Sequence, residues 1–205
     1  MATAHTETTP SAPPRRATIA EWLAIPEEQR AELIDGRIVY QGMPGPTHGR
    51  VQTQVSGALA PRFDRRRGDD ERPGGWWLSA EVDMELGGIG CRPDLLGWRR
   101  EHHPRLPTPD GRGLVVDVPD WICEVLSPST ATVDTGRKRE AYHRAGVAWY
   151  WLADPERRSL TVLHRADEGY VIVGVFTPGG RARAAPFDAV EVDLDDLFVA
   201  DEDGG

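Results

Sequence analysis

Hydrophobic positions along this chain change their spacing several times, and each change marks an element. Thr18 precedes a short apolar-periodic stretch over Ile19–Leu23 and is placed to cap a helix there. Residues 31–40 read as strand, turn, strand: Glu32-Leu33-Ile34, the turn pair Asp35-Gly36, then Arg37-Ile38-Val39-Tyr40. After a Pro- and Gly-rich loop, residues 47–67 turn helical, with Val51, Val55, Ala58 and Leu59 in an i, i+4, i+7, i+8 stripe. Pro61 predicts a kink or a split in that helix. A polar linker leads to residues 76–86, which alternate strictly: Leu78, Ala80, Val82, Met84 and Leu86 on one face, Ser79, Glu81, Asp83 and Glu85 on the other. Two more strands are expected over 92–98 and 121–126, separated by a loop rich in Pro, His and Arg. A loop ending at Asp134 leads into a helix over 135–145, closed by Gly146. A strand over 147–153, a strand pair over 160–164 and 170–176, and a short helix over 193–198 complete the chain. The pattern has no internal repeat and predicts an α/β (α+β layered) domain with hairpins at both ends.

Composition narrows the classes. A chain of 205 residues suggests one domain, over 17–198, between an N-terminal arm (1–16) expected to be disordered and an acidic flexible tail (199–205). No apolar run approaches the roughly 20 residues of a membrane span, and the first 16 residues lack the apolar centre of a signal peptide. Cys91 and Cys123 are too few for a disulfide framework or a structural zinc site and read as buried free thiols. A cytoplasmic protein with no membrane association is the expectation. The net charge of −9 argues against a protein that coats nucleic acid. Yet seven of the 33 acids fall after residue 190, and residues 1–190 carry 26 acids against 24 bases. The body is nearly neutral. Of the 24 basic residues, Lys138 alone is a lysine.

Two carboxylates sit where strands should be apolar. Asp94 precedes Leu95-Leu96-Gly97-Trp98, and Glu124 lies inside Trp121-Ile122-Cys123-Glu124-Val125-Leu126. Such a group costs several kcal/mol unless it is compensated. Either each ends a strand and accepts backbone hydrogen bonds, or the pair offers oxygen ligands to a hard divalent cation. Lys138 follows on the next helix and shares a face with Ala141, Tyr142 and Ala145, while Arg137 and Arg139 point away. Its retention between two arginines suits a site that needs a compact ammonium rather than a planar fork. His48, at the entry of the long helix, is a capping residue or a site residue. Glu32 and Glu81 are weaker candidates, the latter sharing a polar face with Asp83 and Glu85.

These segments together resemble the Uma2 family of endonucleases, a bacterial branch of the PD-(D/E)XK superfamily. The resemblance rests on Glu32-Leu-Ile-Asp-Gly36, His48, Arg92-Pro-Asp94-Leu95, Glu124-Val-Leu-Ser-Pro-Ser-Thr130, Lys138-x3-Tyr142-x3-Gly146-Val147 and Tyr150-Trp-Leu-x-Asp154-Pro155, over about residues 18–175. It implies a restriction-endonuclease-like core, a central mixed sheet flanked by helices. Asp94 and Glu124 match the motif acids as metal ligands. The superfamily lysine usually stands two residues after the second acid, where this chain has Leu126, so its role passes to Lys138. The family commonly has a glutamate before Tyr-Trp; here that position is Trp149.

The implied activity is Mg²⁺-dependent hydrolysis of DNA phosphodiester bonds, with Mn²⁺ as a substitute. Asp94, Glu124 and the carbonyl of Val125 would hold the metal, and Lys138 and His48 would serve the reaction. Glu32, Glu81 and Tyr142 are auxiliary. Arg62, Arg65, Arg66, Arg67, Arg99, Arg100, Arg137 and Arg139 are candidate phosphate contacts. A homodimer would suit the cutting of two strands. The main alternative is an inactive nucleic-acid-binding or scaffold protein on the same fold. Others are a metal-independent carboxylate-pair hydrolase such as a glycosidase, and an acidic tail that mimics DNA.

Overall fold

A computed structural model describes residues 15–66, 68–69, 72–127 and 131–198. Most of the expected N-terminal arm, the whole acidic tail and Arg67 lie outside the described residues. Thr18 caps α1 (Ile19–Leu23) through a reciprocal capping box with Glu21. β1 (Ala31–Ile34) and β2 (Arg37–Tyr40) form the expected hairpin, with Asp35 and Gly36 both in the left-handed region at φ 51° and 75°. α2 (Pro46–Phe63) starts with proline in its first turn, where the missing N–H costs nothing, and buries Val51, Val55, Leu59 and Phe63. Pro61 does not split it: the helix runs on to Phe63, and Asp64 N–H still reaches the Ala60 carbonyl at 3.0 Å.

The expected single strand over 76–86 is two strands in two sheets. β3 (Trp76–Ala80) and β4 (Met84–Leu86) are separated by a turn at Glu81, whose φ is 50°. The Glu81 N–H bonds back to the Pro93 carbonyl at 3.1 Å, and the left-handed residue redirects the chain. Uninterrupted alternation in the sequence conceals this break. It also separates the three acids of the supposed solvated face. Asp83 takes a two-pronged ion pair from Arg92, and Glu85 pairs with Arg112.

β4 pairs with β5 (Ile89–Cys91), giving a four-stranded sheet in the order β2-β1-β5-β4. Gly90 on β5 lies under Trp22, so a methyl group there would come within 2.3 Å of the indole Cε3. Gly90→Ala is therefore expected to cost about 1–3 kcal/mol, read as a lower midpoint in urea unfolding.

The main sheet has six strands, in the order β10-β9-β8-β7-β6-β3. These are β6 (Leu95–Arg99), β7 (Trp121–Val125), β8 (Trp149–Asp154), β9 (Ser159–Ala166) and β10 (Gly169–Phe176), with β3 at one edge. β7 and β8 are parallel and every other neighbouring pair is antiparallel, so the sheet is mixed. The β7–β8 crossover is helical, and it differs from the expected helix over 135–145. It begins at α3 (Ala131–Val133), widens into a π-turn over Asp134–Lys138, and continues as α4 (Arg139–Ala145) to Gly146 at φ 97°. Single π-turns inside helices recur at functional sites.

Each face of the sheet is covered. α2 and the C-terminal segment, β11 (Arg181–Ala182), β12 (Val192–Asp193) and α5 (Leu194–Leu197), pack on one face against Trp121, Cys123, Val125 and Trp151. α4 packs Ala141 and Tyr142 on the other, against Ile122, Tyr150 and Leu152. Cys91 and Cys123 are buried free thiols. Among the described residues no helix is long and apolar enough to cross a membrane.

Candidate active site

Position 94 ends one strand and position 124 lies near the end of its neighbour. β6 and β7 pair antiparallel with Leu95 opposite Cys123, and the same register continued sets Asp94 opposite Glu124. β6 stops there, so the Val125 N–H finds no strand partner and donates to Asp94 Oδ2 at 2.7 Å instead. The strand-end reading of Asp94 is correct as far as it goes. The same oxygen also meets His48 Nε2 at 3.2 Å, from the first turn of α2. Burial disfavours the imidazolium, but the bond and charge of Asp94 outweigh it and raise the His48 pKa.

Glu124 is 2% exposed and has no such backbone donor. Its Oε1 accepts from Tyr142 Oη at 2.8 Å and from Lys138 Nζ at 3.1 Å. Lys138 stands at the end of the π-turn, 3% exposed. Its ammonium also lies 3.0 Å from Glu32 Oε2 and 3.2 Å from Asp134 Oδ1. Glu32 is fixed from β1, with Oε1 taking the Arg92 N–H and Oε2 the Gln41 amide. One ammonium thus lies within 3.2 Å of carboxylates from three elements, donating a hydrogen bond to Glu124 and ion-pairing with Glu32 and Asp134. Burial would lower the lysine pKa, but Glu124, Glu32 and Asp134 outweigh it and hold it well above the ordinary lysine value. Burial raises Glu124 well above the usual carboxylate range despite Lys138, and the charges of Asp94, Asp134 and Glu32 push the same way.

Asp94, Glu124, Lys138, His48, Val125 and Glu32 all line one cleft. Tyr142 sits directly beneath it through Glu124. Glu81 stays at the margin, 38% exposed on its side chain, with Gln52 at 3.4 Å and Arg30 at 3.9 Å. The arginines expected to contact phosphate do not gather here. Arg62 bonds the Ala58 carbonyl near the far end of α2, about 20 Å along the axis from His48. Arg65 and Arg66 follow it. Arg99 lies over the Trp76 ring and pairs with Glu101, while Arg137 is exposed on the π-turn. The arginines that do line the cleft are Arg30 and Arg92.

Asp134 escapes a reading of the sequence because it looks like the end of a loop. Its spacing of four from Lys138 is the available signal, an acid one helical turn before a base. Position 149, where the family commonly has glutamate, pairs with Trp121, whereas Glu124 pairs with Leu152. Trp149 is thus about 10 Å down the sheet from the acids, stacked on His164, and its identity leaves the cleft untouched.

Among the described residues no group of three or more His, Cys, Asp or Glu side chains is arranged to enclose a metal ion. Asp94 and Glu124 nevertheless suit a cation that keeps its waters. No donor among the described residues reaches Asp94 Oδ1 or Glu124 Oε2, and Mg²⁺ is commonly held by one or two carboxylates. Four buried acids (Glu32, Asp94, Glu124 and Asp134) share the cleft with Lys138, Arg30 and Arg92.

Tyr142 allows a direct test of how far this network supports the fold. Its Oη is the neutral donor to a buried carboxylate oxygen. Tyr142→Phe is expected to cost about 1–3 kcal/mol in unfolding free energy, because it leaves that oxygen short of a partner.

A six-stranded mixed sheet with this pair of strand-end acids defines an α/β restriction-endonuclease-like core. Searches against known proteins agree with that class. A crystal structure of "a putative nuclease" from Anabaena variabilis superposes with a TM-score of 0.68 at 22% identity, covering 88% of this chain and 96% of that one. No curated protein matches the chain. The Uma2 family profile, described as "Putative restriction endonuclease", matches residues 18–195, and the chain belongs to that family.

Proposed function

We propose that this protein is a Mg²⁺-dependent endonuclease that hydrolyses DNA phosphodiester bonds, with Mn²⁺ able to replace Mg²⁺. One observation supports this best: two acids at adjacent strand ends, each with an oxygen to which no described residue donates, open into the same cleft as a buried lysine. Asp94 and Glu124 would hold the metal, with the Val125 carbonyl as a further ligand. When bound, the metal supplies a lowered pKa for water and positive charge for the phosphoryl oxygens.

The remaining roles fall to the chain itself. His48 and the Val125 N–H fix the Asp94 carboxylate from two sides, so its free oxygen keeps one direction. Tyr142 and Lys138 do the same for Glu124. Lys138 lies 3.1 Å from Glu124 in the cleft. Its ammonium would orient the attacking water and oppose the charge that builds on the phosphate. Glu32 and Asp134 keep it in place and protonated.

The test is incubation of supercoiled plasmid and of linear DNA with the protein in Mg²⁺ or Mn²⁺. Nicking that needs the cation and disappears in Asp94→Ala is the expected result. Absence of cleavage on every DNA form, together with no heat of Mn²⁺ binding by calorimetry, would overturn the reading in favour of an inactive scaffold on this fold. Cleavage that persists in chelator would favour a metal-independent hydrolase.

A further inference from the structure

A second cavity, of ≈ 160 Å³, opens beside the cleft and shares Arg30, Glu32, Gln41 and Arg92 with it. The far wall is apolar and comes from α1 and the turn after it: Trp22, Leu23, Ile25 and Pro26.

Three features describe the group that fits. Arg92 is already held in plane by Asp83, with both contacts at 2.8 Å, and by Glu27 at 3.2 Å. Three of its five N–H groups are engaged, and it also offers a ligand a flat guanidinium, a surface on which rings stack. The acids Glu27, Glu32 and Asp83 outnumber Arg30 and Arg92 around the cavity, which disfavours an anion inside it and suits a neutral group. Gln41 donates one N–H to Glu32 and retains an amide oxygen and a second N–H for a polar edge.

Arg30 stands at the junction of the two cavities. Its backbone is left-handed, at φ 44°, a costly conformation for a residue with a side chain. Among the described residues its buried Nε has no hydrogen-bond partner, and its nearest carboxylate, Glu81, is 3.9 Å away. An under-used guanidinium between an apolar pocket and a hydrolytic cleft is placed for an oxyanion.

We propose that this cavity receives the base of an unpaired nucleotide, with Arg30 holding that nucleotide's phosphate at the mouth of the cleft. The proposal rests on the nuclease reading and names its substrate class. A base seated in a pocket has left the helical stack. The favoured substrate is therefore single-stranded DNA, or duplex with an extrahelical nucleotide, rather than fully paired duplex.

The test is direct binding in chelator, which requires no turnover. Thymidine 5′-monophosphate and adenosine 5′-monophosphate in its deoxy form are titrated into the ¹⁵N-labelled full chain, with deoxyribose 5-phosphate as the base-free control. Saturable shifts of the Trp22 indole N–H, at least about tenfold weaker affinity for the control, and a similar loss in Arg30→Gly and Leu23→Glu are expected. Glycine tolerates the left-handed backbone at position 30, and Leu23 is 41% exposed, so both variants should fold; unchanged backbone spectra check this. No shift at millimolar nucleotide, or equal binding of the base-free control, would overturn the proposal. Nucleotide binding by a protein that cleaves no DNA would retain the cavity and defeat the nuclease reading, so the two failures are distinguishable.

Discussion

Lys138→Met is expected to abolish cleavage and to destabilise the fold by about 3–5 kcal/mol, the usual cost of removing one partner from a buried ionic cluster. The side chain it replaces is 3% exposed and lies within 3.2 Å of three carboxylates. Methionine fills similar space but leaves Glu32, Glu124 and Asp134 facing one another without a cation. The pH dependence gives the prediction a second handle. In the wild type the folded lysine pKa lies above its ordinary value, so the stability it contributes is present below about pH 10.4 and is lost only as pH climbs through the folded pKa. In the variant Glu124 loses the cation that opposes its raised pKa, so the protein should be more stable near about pH 5 than near about pH 8, where that buried carboxyl must ionise. Thermal melting across pH measures both effects. A variant that melts like the wild type at about pH 8 would show that the cluster does not depend on the ammonium. Lys138→Arg is not a conservative rescue, because a planar fork does not match three acceptors converging on one point.

Glu124→Gln should separate chemistry from stability. Glutamine keeps an oxygen for Tyr142 and Lys138, and it removes a buried charge whose carboxyl already resists ionisation. The fold should be unharmed or slightly more stable, while cleavage falls by at least about 10²- to 10³-fold, the scale for loss of one group that stabilises transition-state charge. Mn²⁺ affinity measured by calorimetry should fall with it. Asp94→Asn should repeat the loss of activity, with a larger cost in stability, since an amide must then face both the Val125 N–H and His48. If Glu124→Gln cleaves DNA at the wild-type rate, or binds Mn²⁺ as tightly, Glu124 is not a metal ligand.

Much of the site was legible along the chain, for a specific reason. A carboxylate inside Trp-Ile-Cys-x-Val-Leu contradicts the apolar strand around it, and a single lysine among 24 basic residues contradicts the arginine bias. Local contradictions of this kind survive in a sequence because something distant compensates them. Elements set by short-range rules were equally readable: the helix cap at Thr18, the Asp35-Gly36 turn, the apolar stripe of α2 and the glycine that ends α4.

The tertiary structure decided what depends on partners far along the chain. Alternation over residues 76–86 satisfies one long strand or two short ones equally well. The bond from Glu81 to Pro93 and the separate pairings of β3 and β4 select the second. Glu32 and Asp134 look like a hairpin acid and a loop residue, yet the fold closes both onto Lys138, from positions 106 and four residues away. Arg62, Arg65 and Arg66, among the candidate phosphate contacts, show the converse. They cluster in sequence at and just after the end of α2, and the helix carries them about 20 Å from His48, while Arg30 and Arg92 line the cleft. By itself the sequence determined which side chains needed compensation. Which groups supply it was decided by the packing of two sheets and a π-turn, because charge and burial are settled by neighbours in space rather than along the chain.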